Sequence, residues 1–332
     1  MPTPTARKRS AGSRIAVVLW VLVIAAGAAA LVAALVPVGP DWLGDAGSVT
    51  VATGYAWALA ARTGGRPLVF GGLALGLGLL VQVVDEDYLR TGAAVMTCVV
   101  TAVFAVMATV PAVTYLHAVR ECIIAVLLSG IGALATVGFE PTITVTRFEY
   151  ATFGLALAGS FLMVYRLGAG LHGLGRRGVV IVVVGGVLVA VSVLYAELLR
   201  RYGTPGLTEG LLDAVRWSRD ELGAFPRPIE TILGIPALAY GCHMRARRRQ
   251  GWWVCAFGVA GTAAVANALA NPAISFEEAG LSVAYGLVIG LVIGYVVTRL
   301  DLAFTGPRGR GRRVSEQAAA LRPEPRRTEP LL

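Results

Sequence analysis

The sequence contains many apolar runs that are long enough to cross a lipid bilayer as helices. The first, Ile15 to Val36, has 22 residues. At 1.5 Å of rise per residue this run spans the roughly 30 Å hydrocarbon core of a bilayer. Further runs continue as far as Leu300, so the apolar content is not confined to one anchor. This pattern predicts a multi-pass membrane protein rather than a soluble domain.

Composition and the N-terminal charges agree with that prediction. Hydrophobic residues make up 56% of the chain and charged residues 15%, whereas soluble domains have roughly 45–50% and 25%. Four basic residues precede the first run, as they do in signal peptides. That run is longer than the roughly 7–15 apolar residues of a signal sequence, so we expect an uncleaved first helix.

We predict an all-α, polytopic transmembrane helix bundle of about ten spans. Residues 1–14 form a basic cytoplasmic N-terminal tail, residues 15–300 the transmembrane domain, and residues 301–332 a disordered, basic cytoplasmic tail. Several spans fall below the roughly 20 residues of a comfortable crossing. The predicted spans are 15–36, 46–61, 67–84, 93–115, 122–139, 151–165, 178–196, 229–244, 252–270 and 279–298.

The placement of charge predicts the orientation of these spans. With both termini in the cytoplasm, 22 of the 29 basic residues lie inside, and most acidic residues lie in outer loops. This distribution satisfies the positive-inside rule. The weak span 46–61 must cross, because otherwise the arginine clusters of later loops would face outward. The net charge of +9 is therefore an orientation signal, and no nucleic-acid partner is expected.

The outer loop 197–228 is the one sizeable extracytoplasmic element that we predict. Leu211, Val215 and Leu222 share one helical face, and Gly223 followed by Pro226 ends the segment. This pattern predicts an amphipathic helix on the outer membrane surface or over the bundle.

Two prolines and three glycines mark special points in the predicted spans. Pro111 and Pro236 would kink their helices or line a cavity, because proline lacks an N–H and leaves a carbonyl free. Gly286, Gly290 and Gly294 form a double G-x-x-x-G pattern, which lets helices approach closely. Packing within the chain and a homodimer through this face both remain open.

The sequence offers little sign of catalytic chemistry. We expect no ionisable group deep within a span, since Gln82, His117, Glu197 and His243 all fall near helix ends. Such deep groups are the strongest pointers to proton relays and coupled transport. No metal-ligand spacing, nucleophile elbow or phosphate-binding loop is present. We therefore expect no cofactor, no metal and, on balance, no enzyme.

The loop after the eighth span is strongly basic and ends in tandem tryptophans. Anionic lipid of the inner leaflet attracts such arginines, and indole rings favour the membrane interface. We predict lipid contacts for Arg245, Arg247, Arg248, Arg249, Trp252 and Trp253.

The segments YRLGAGLHGLGRR at 165–177 and HMRARRRQGWW at 243–253 resemble uncharacterised multi-pass integral membrane proteins of actinobacteria. The resemblance covers most of the chain. It implies location in the plasma membrane and a multi-pass topology, and it carries no site residues over.

Two functions from different classes follow. The chain is a transporter or permease for a small or amphiphilic solute, or it is a non-catalytic scaffold or accessory subunit in cell-envelope assembly. The helix count and Pro236 favour transport. The glycine-rich faces favour a scaffold that pairs with itself or with another membrane protein.

Overall fold

The fold is known from a computed structural model that describes residues 11–36, 38–84, 86–142, 144–169, 179–180, 182–191, 194, 202–203, 205–247, 251–305 and 324–331. Within those ranges the chain is helical and contains no strand. The helices are α1 (Ala11–Leu35), α2 (Trp42–Arg62), α3 (Pro67–Val84), α4 (Asp87–Met107), α5 (Tyr115–Gly138), α6 (Val145–Val164), α7 (Val182–Val191), α8 (Pro205–Leu222), α9 (Ile235–Arg245), α10 (Gly251–Ala256), α11 (Val259–Leu269) and α12 (Phe276–Thr305). Two π-helical turns, Tyr165–Ala169 and Ile229–Gly234, follow α6 and precede α9.

Each predicted span corresponds to helical structure in the described part of the chain. Seven of these helices are long and apolar enough to cross a membrane, and they include α1, α3, α4, α5, α6 and α12. The seventh combines α10 and α11 as Gly251–Leu269. Helix α2 is long but less apolar, and α7 and α9 are short. The all-α prediction is confirmed, whereas the count of ten spans stays a prediction.

Helix α11 lies at the centre of the bundle. Every residue from Val259 to Ala268 is buried, and the helix packs against α4, α5, α6 and α12. Its alanines and glycine let the neighbouring backbones come close. By contrast α1 and α3 expose most of their large apolar side chains, with Leu68 84% exposed. Such continuous apolar surface is typical of a lipid-facing helix.

The two ends of the bundle carry opposite charge. One end, here called the basic end, holds the end of α2, the start of α5 and the end of α9, with Arg62, Arg120 and Arg245. The opposite, acidic end holds the starts of α4 and α12. There Arg90 contacts Glu140 across 3.6 Å.

The predicted outer helix is α8, and it packs against α12 at the acidic end. Arg219 Nε lies 3.1 Å from Glu278 Oε1, and the Tyr285 hydroxyl donates to the Leu222 carbonyl. Gly223, at φ 77°, ends the helix in the left-handed conformation that glycine tolerates. The following segment returns inward, because the Ser282 hydroxyl donates to the Phe225 carbonyl.

Residues 324–331 differ from the expectation of a disordered C-terminal tail. They lie on the basic end, where the Leu331 N–H donates to the Arg62 carbonyl and the Leu331 side chain contacts the core. The composition of the tail lacks apolar periodicity, but its charged groups find partners on the bundle. The remainder of the predicted tail beyond Thr305 lies outside the described residues.

Candidate functional site

The connection between α4 and α5, at residues 108–114, is an interrupted helix at the basic end. Pro111 has no N–H to donate to the Met107 carbonyl four residues earlier, and α4 ends at Met107. The chain is then irregular until Thr114 caps α5 by accepting from the His117 N–H. The carbonyls of residues 107–109 are thus free of helical hydrogen bonds and accept from side chains instead.

Two buried arginines use these carbonyls. Arg62 donates from Nε to the Met107 carbonyl at 3.0 Å and from Nη2 to the Thr109 carbonyl at 3.4 Å. Arg245 donates from Nη1 to the Thr109 hydroxyl at 2.7 Å and from Nη2 to the Thr109 carbonyl at 3.2 Å. The Arg245 guanidinium also lies 3.4 Å from the centre of the Trp252 ring. Backbone acceptors and an aromatic face therefore hold two cations inside the protein.

A buried carboxylate, Glu121, faces the same connection from the first turns of α5. One of its oxygens accepts from the Val110 N–H at 2.9 Å, and the other from Arg120 Nη2 at 2.9 Å. Arg327 of the tail contacts both oxygens, at 2.9 and 2.8 Å. We call Arg62, Arg245, Thr109, Glu121 and the backbone of residues 107–110 the arginine pocket.

The tail closes the arginine pocket with two ion pairs. Glu324 accepts from Arg245 Nη2 at 2.6 Å, and both side chains are nearly fully buried. Arg327 pairs with Glu121 and also donates to the Ala108 carbonyl at 3.2 Å. Beside these contacts an open cleft of about 580 Å³ remains, lined by Val110, Pro111, Val113, Arg120, Ile124, Ala246, Glu324, Pro325, Arg326 and Arg327. The volume is within the range of small-molecule sites.

A second carboxyl group, Glu230, is buried toward the acidic end. It is 0% exposed, and neither oxygen has a hydrogen-bond partner among the described residues. Arg227, three residues earlier, pairs with Glu149 at 2.8 Å, and that pair is partly exposed. Glu230 therefore lies about one helical turn inward from this exposed ion pair. A buried carboxylate without a partner is costly, so burial favours the neutral acid at this position.

Pro236 and Gly286, two residues that the sequence analysis singled out, shape the surroundings of Glu230. Pro236 cannot donate to the Ile232 carbonyl, and the backbone widens into the π-helical turn Ile229–Gly234 just before it. On the facing helix α12, Gly286 leaves room for the carboxyl, since a Cβ there would lie 2.8 Å from Glu230 Cδ. Isolated π-turns occur frequently at functional sites.

The predicted glycine face packs within the chain. A Cβ at Gly290 would lie 2.7 Å from Ile235 Cβ, and one at Gly294 would lie 3.1 Å from Ala239 Cβ. Gly286 meets Glu230 in the same way. This face is therefore not free to form the homodimer that the sequence left open, and association through another face stays a prediction.

The predicted lipid contacts of the basic loop differ from what the structure contains. Arg245, Trp252 and Trp253 are buried, so they have almost no surface to offer to lipid. The hydroxyl and carbonyl of Thr109 and the carboxylate of Glu324 account for this burial of Arg245. Arg247 is partly exposed, and Arg248 and Arg249 lie outside the described residues.

Sequence reasoning missed three functional candidates. Glu230 is the second residue of its predicted span and was not considered as a site residue, yet α8 and the returning segment cover it. Arg62 was counted only as a basic residue of a cytoplasmic loop, and Glu121 was not singled out. A signal was available for Glu121, which lies shortly after Pro111 in the sequence, whereas Arg62 is far from Pro111 along the chain. In the described part of the chain no three His, Cys, Asp or Glu residues form a metal-binding group.

The described structure is all-helical, and its membrane-length helices are compatible with an integral membrane protein. The chain matches no protein-family profile, no curated protein and no solved structure. The resemblance to actinobacterial membrane proteins therefore stays a prediction.

Proposed function

We propose that the chain is a ten-span plasma-membrane protein that moves a small or amphiphilic solute, and that Glu230 couples this movement to protons. The observation that carries the proposal is the burial of the Glu230 carboxyl without a partner, beside a π-turn and a proline. An ionisable group in such a position is by default functional, because burial costs free energy that packing alone does not recover.

The proposal requires water to reach Glu230 from each side of the membrane in turn. On the acidic side the nearest charged group along the chain is Arg227, which is partly exposed and donates to the Asn267 carbonyl at 3.2 Å as well as to Glu149. In the proposed mechanism a shift of this ion pair admits water to Glu230 from that side.

Topology is the first part of the proposal to test. The separation of basic and acidic ends supports both termini in the cytoplasm. A fluorescent reporter that folds only in the cytoplasm should fluoresce when fused after Leu332. An enzyme reporter that is active only outside should be active when inserted between Gly203 and Gly210. The opposite result at either position would overturn the orientation.

Proton coupling is tested on the purified full-length protein in liposomes. A potassium diffusion potential drives protons inward, and a trapped pH-sensitive dye reports the flux. We expect faster acidification with the wild-type protein than with Glu230→Gln, because the amide cannot release a proton. Glu209→Gln is the matched control, since Glu209 is exposed on α8. Equal rates for wild type and Glu230→Gln would reject proton coupling.

A scaffold in cell-envelope assembly is the second candidate, and the packing of α11 favours it. The helix is buried along its length, and Gly261 lies directly against the backbone of Gly234. Such close packing resists the helix movements that transport requires. A chain that carries no proton flux, yet co-purifies with one defined envelope protein after mild crosslinking in the native membrane, would support this alternative.

A further inference from the structure

The bundle contributes its own contacts to the arginine pocket, apart from those of the tail. The carbonyls of Met107 and Thr109 and the Thr109 hydroxyl accept from the two guanidinium groups, and the Trp252 ring covers one of them. These contacts orient the planar groups of Arg62 and Arg245 toward a ligand.

Both guanidinium groups also donate to the tail. Arg62 Nη1 donates to the carbonyls of Arg326 and Glu329, both at 2.6 Å. Arg245 Nη2 donates to the Glu324 carboxylate at 2.6 Å. The tail thus provides three acceptors, one of them anionic, at the mouth of a cationic pocket.

The pocket has a strong requirement for an anion. Glu324 is the one carboxylate among the described residues within ion-pairing distance of Arg245. Glu121, the carboxylate of the bundle, is already paired with Arg120. If the tail left, Arg245 would lose the Glu324 carboxylate and Arg62 would lose two carbonyl acceptors, which is unfavourable for buried guanidinium groups. An anion that enters as the tail departs would replace these acceptors.

We propose that the arginine pocket binds the carboxylate or phosphate group of a ligand, and that residues 324–331 are a built-in competitor that closes it. Guanidinium groups bind both anions through paired N–H donors. Bundle residues that line the adjacent cleft, among them Pro111, Arg120 and Ile124, would contact the rest of a small ligand once the tail has left. Because the competitor belongs to the same chain, its effective concentration is high, and only a ligand that uses both arginines displaces it.

The release of the tail can be followed with a single added cysteine. All four native cysteines are buried, so they give a low background with a membrane-impermeant maleimide. Leu331→Cys places a thiol at the end of the docked segment, where the native side chain packs against the core. The labelling rate of the full-length protein in nanodiscs then measures how often the tail leaves the pocket.

Three comparisons test the proposal. Glu324→Gln should raise the labelling rate about tenfold or more, because removing one partner of a buried ion pair is strongly destabilising. The matched change Glu209→Gln should leave it unchanged. In the Leu331→Cys protein, inorganic phosphate should raise the rate saturably relative to chloride at equal ionic strength.

The lipid composition of the nanodiscs distinguishes the two possible sources of the anion, a soluble ligand and a lipid headgroup. A response to phosphate in neutral phosphatidylcholine nanodiscs indicates a soluble ligand, whereas a response only to added phosphatidylglycerol indicates a lipid headgroup. Arg62→Gln should abolish either response. The proposal is overturned if neither anion changes the rate, or if Glu324→Gln labels as slowly as the parent. If Arg62→Gln does not fold, the Glu324→Gln and anion comparisons still decide.

Discussion

The two ends of this protein bury charge in opposite ways. At the basic end Arg245 has hydrogen bonds to Thr109, an aromatic ring over it and an ion pair with Glu324. Toward the acidic end Glu230 is equally buried, and its oxygens have no partner in the described structure. The first arrangement holds a permanent charge, while the second holds a group that is stable only when neutral. This difference is the reason for proposing that the basic end binds an anion and that Glu230 is protonated and deprotonated.

The strongest test of this comparison is the removal of the paired charge. Arg245→Met should lower the free energy of unfolding by about 3–5 kcal/mol, because it leaves Glu324 and the Thr109 acceptors without their donor. Unfolding by sodium dodecyl sulfate in mixed micelles measures this quantity. Arg216→Met is the matched control, since its pair with Asp213 is exposed and worth about 0–1 kcal/mol. Equal effects of the two changes would show that the buried network does not stabilise the fold.

A second test fills the space beside the unpaired carboxyl. In Gly286→Ala the new methyl group would lie 2.8 Å from Glu230 Cδ, so the Glu230 carboxyl, α12 or the π-turn must shift. We expect a loss of about 1–3 kcal/mol in the same unfolding assay, as in other overpacked interiors. Gly280→Ala has open space and should be neutral or slightly stabilising. A neutral Gly286→Ala would mean that the carboxyl has room to move.

These details explain what the sequence could predict. Run length and charge located the helices, because both depend on local composition, but several helix ends differ from the predicted bounds by six to eight residues. Pro111 was predicted to kink the fourth span, yet α4 ends at Met107 and the chain is not helical again until Tyr115. The difference depends on Arg62, Arg245 and Arg327, which stabilise the opened backbone from distant points of the chain. These contacts join residues that are far apart in the sequence, so local sequence patterns cannot predict them.

A third test isolates the contact between Arg245 and the Trp252 ring. Trp252→Phe, made in the wild type and in the Arg245→Met background, gives a double-mutant cycle. We expect a coupling free energy of about 1 kcal/mol, since tryptophan is the best aromatic partner for a guanidinium group and the site is desolvated. A coupling near zero would mean that the ring packs against Arg245 without stabilising its charge.

Glu230→Gln has the smallest expected effect on stability, and its comparison with Glu121→Gln distinguishes the two ends of the bundle. Glu230→Gln keeps the shape of a neutral carboxylic acid and removes no hydrogen bond found in the described structure. We therefore expect a change in the free energy of unfolding of less than about 0.5 kcal/mol near neutral pH. The same substitution at Glu121 removes a charge that contacts Arg327 and Arg120 and should cost about 2–3 kcal/mol. A large loss in Glu230→Gln would show that this group is ionised and paired with a cation. Glu230 would then be a structural charge like Glu121, and the proton-coupling role would have to be abandoned.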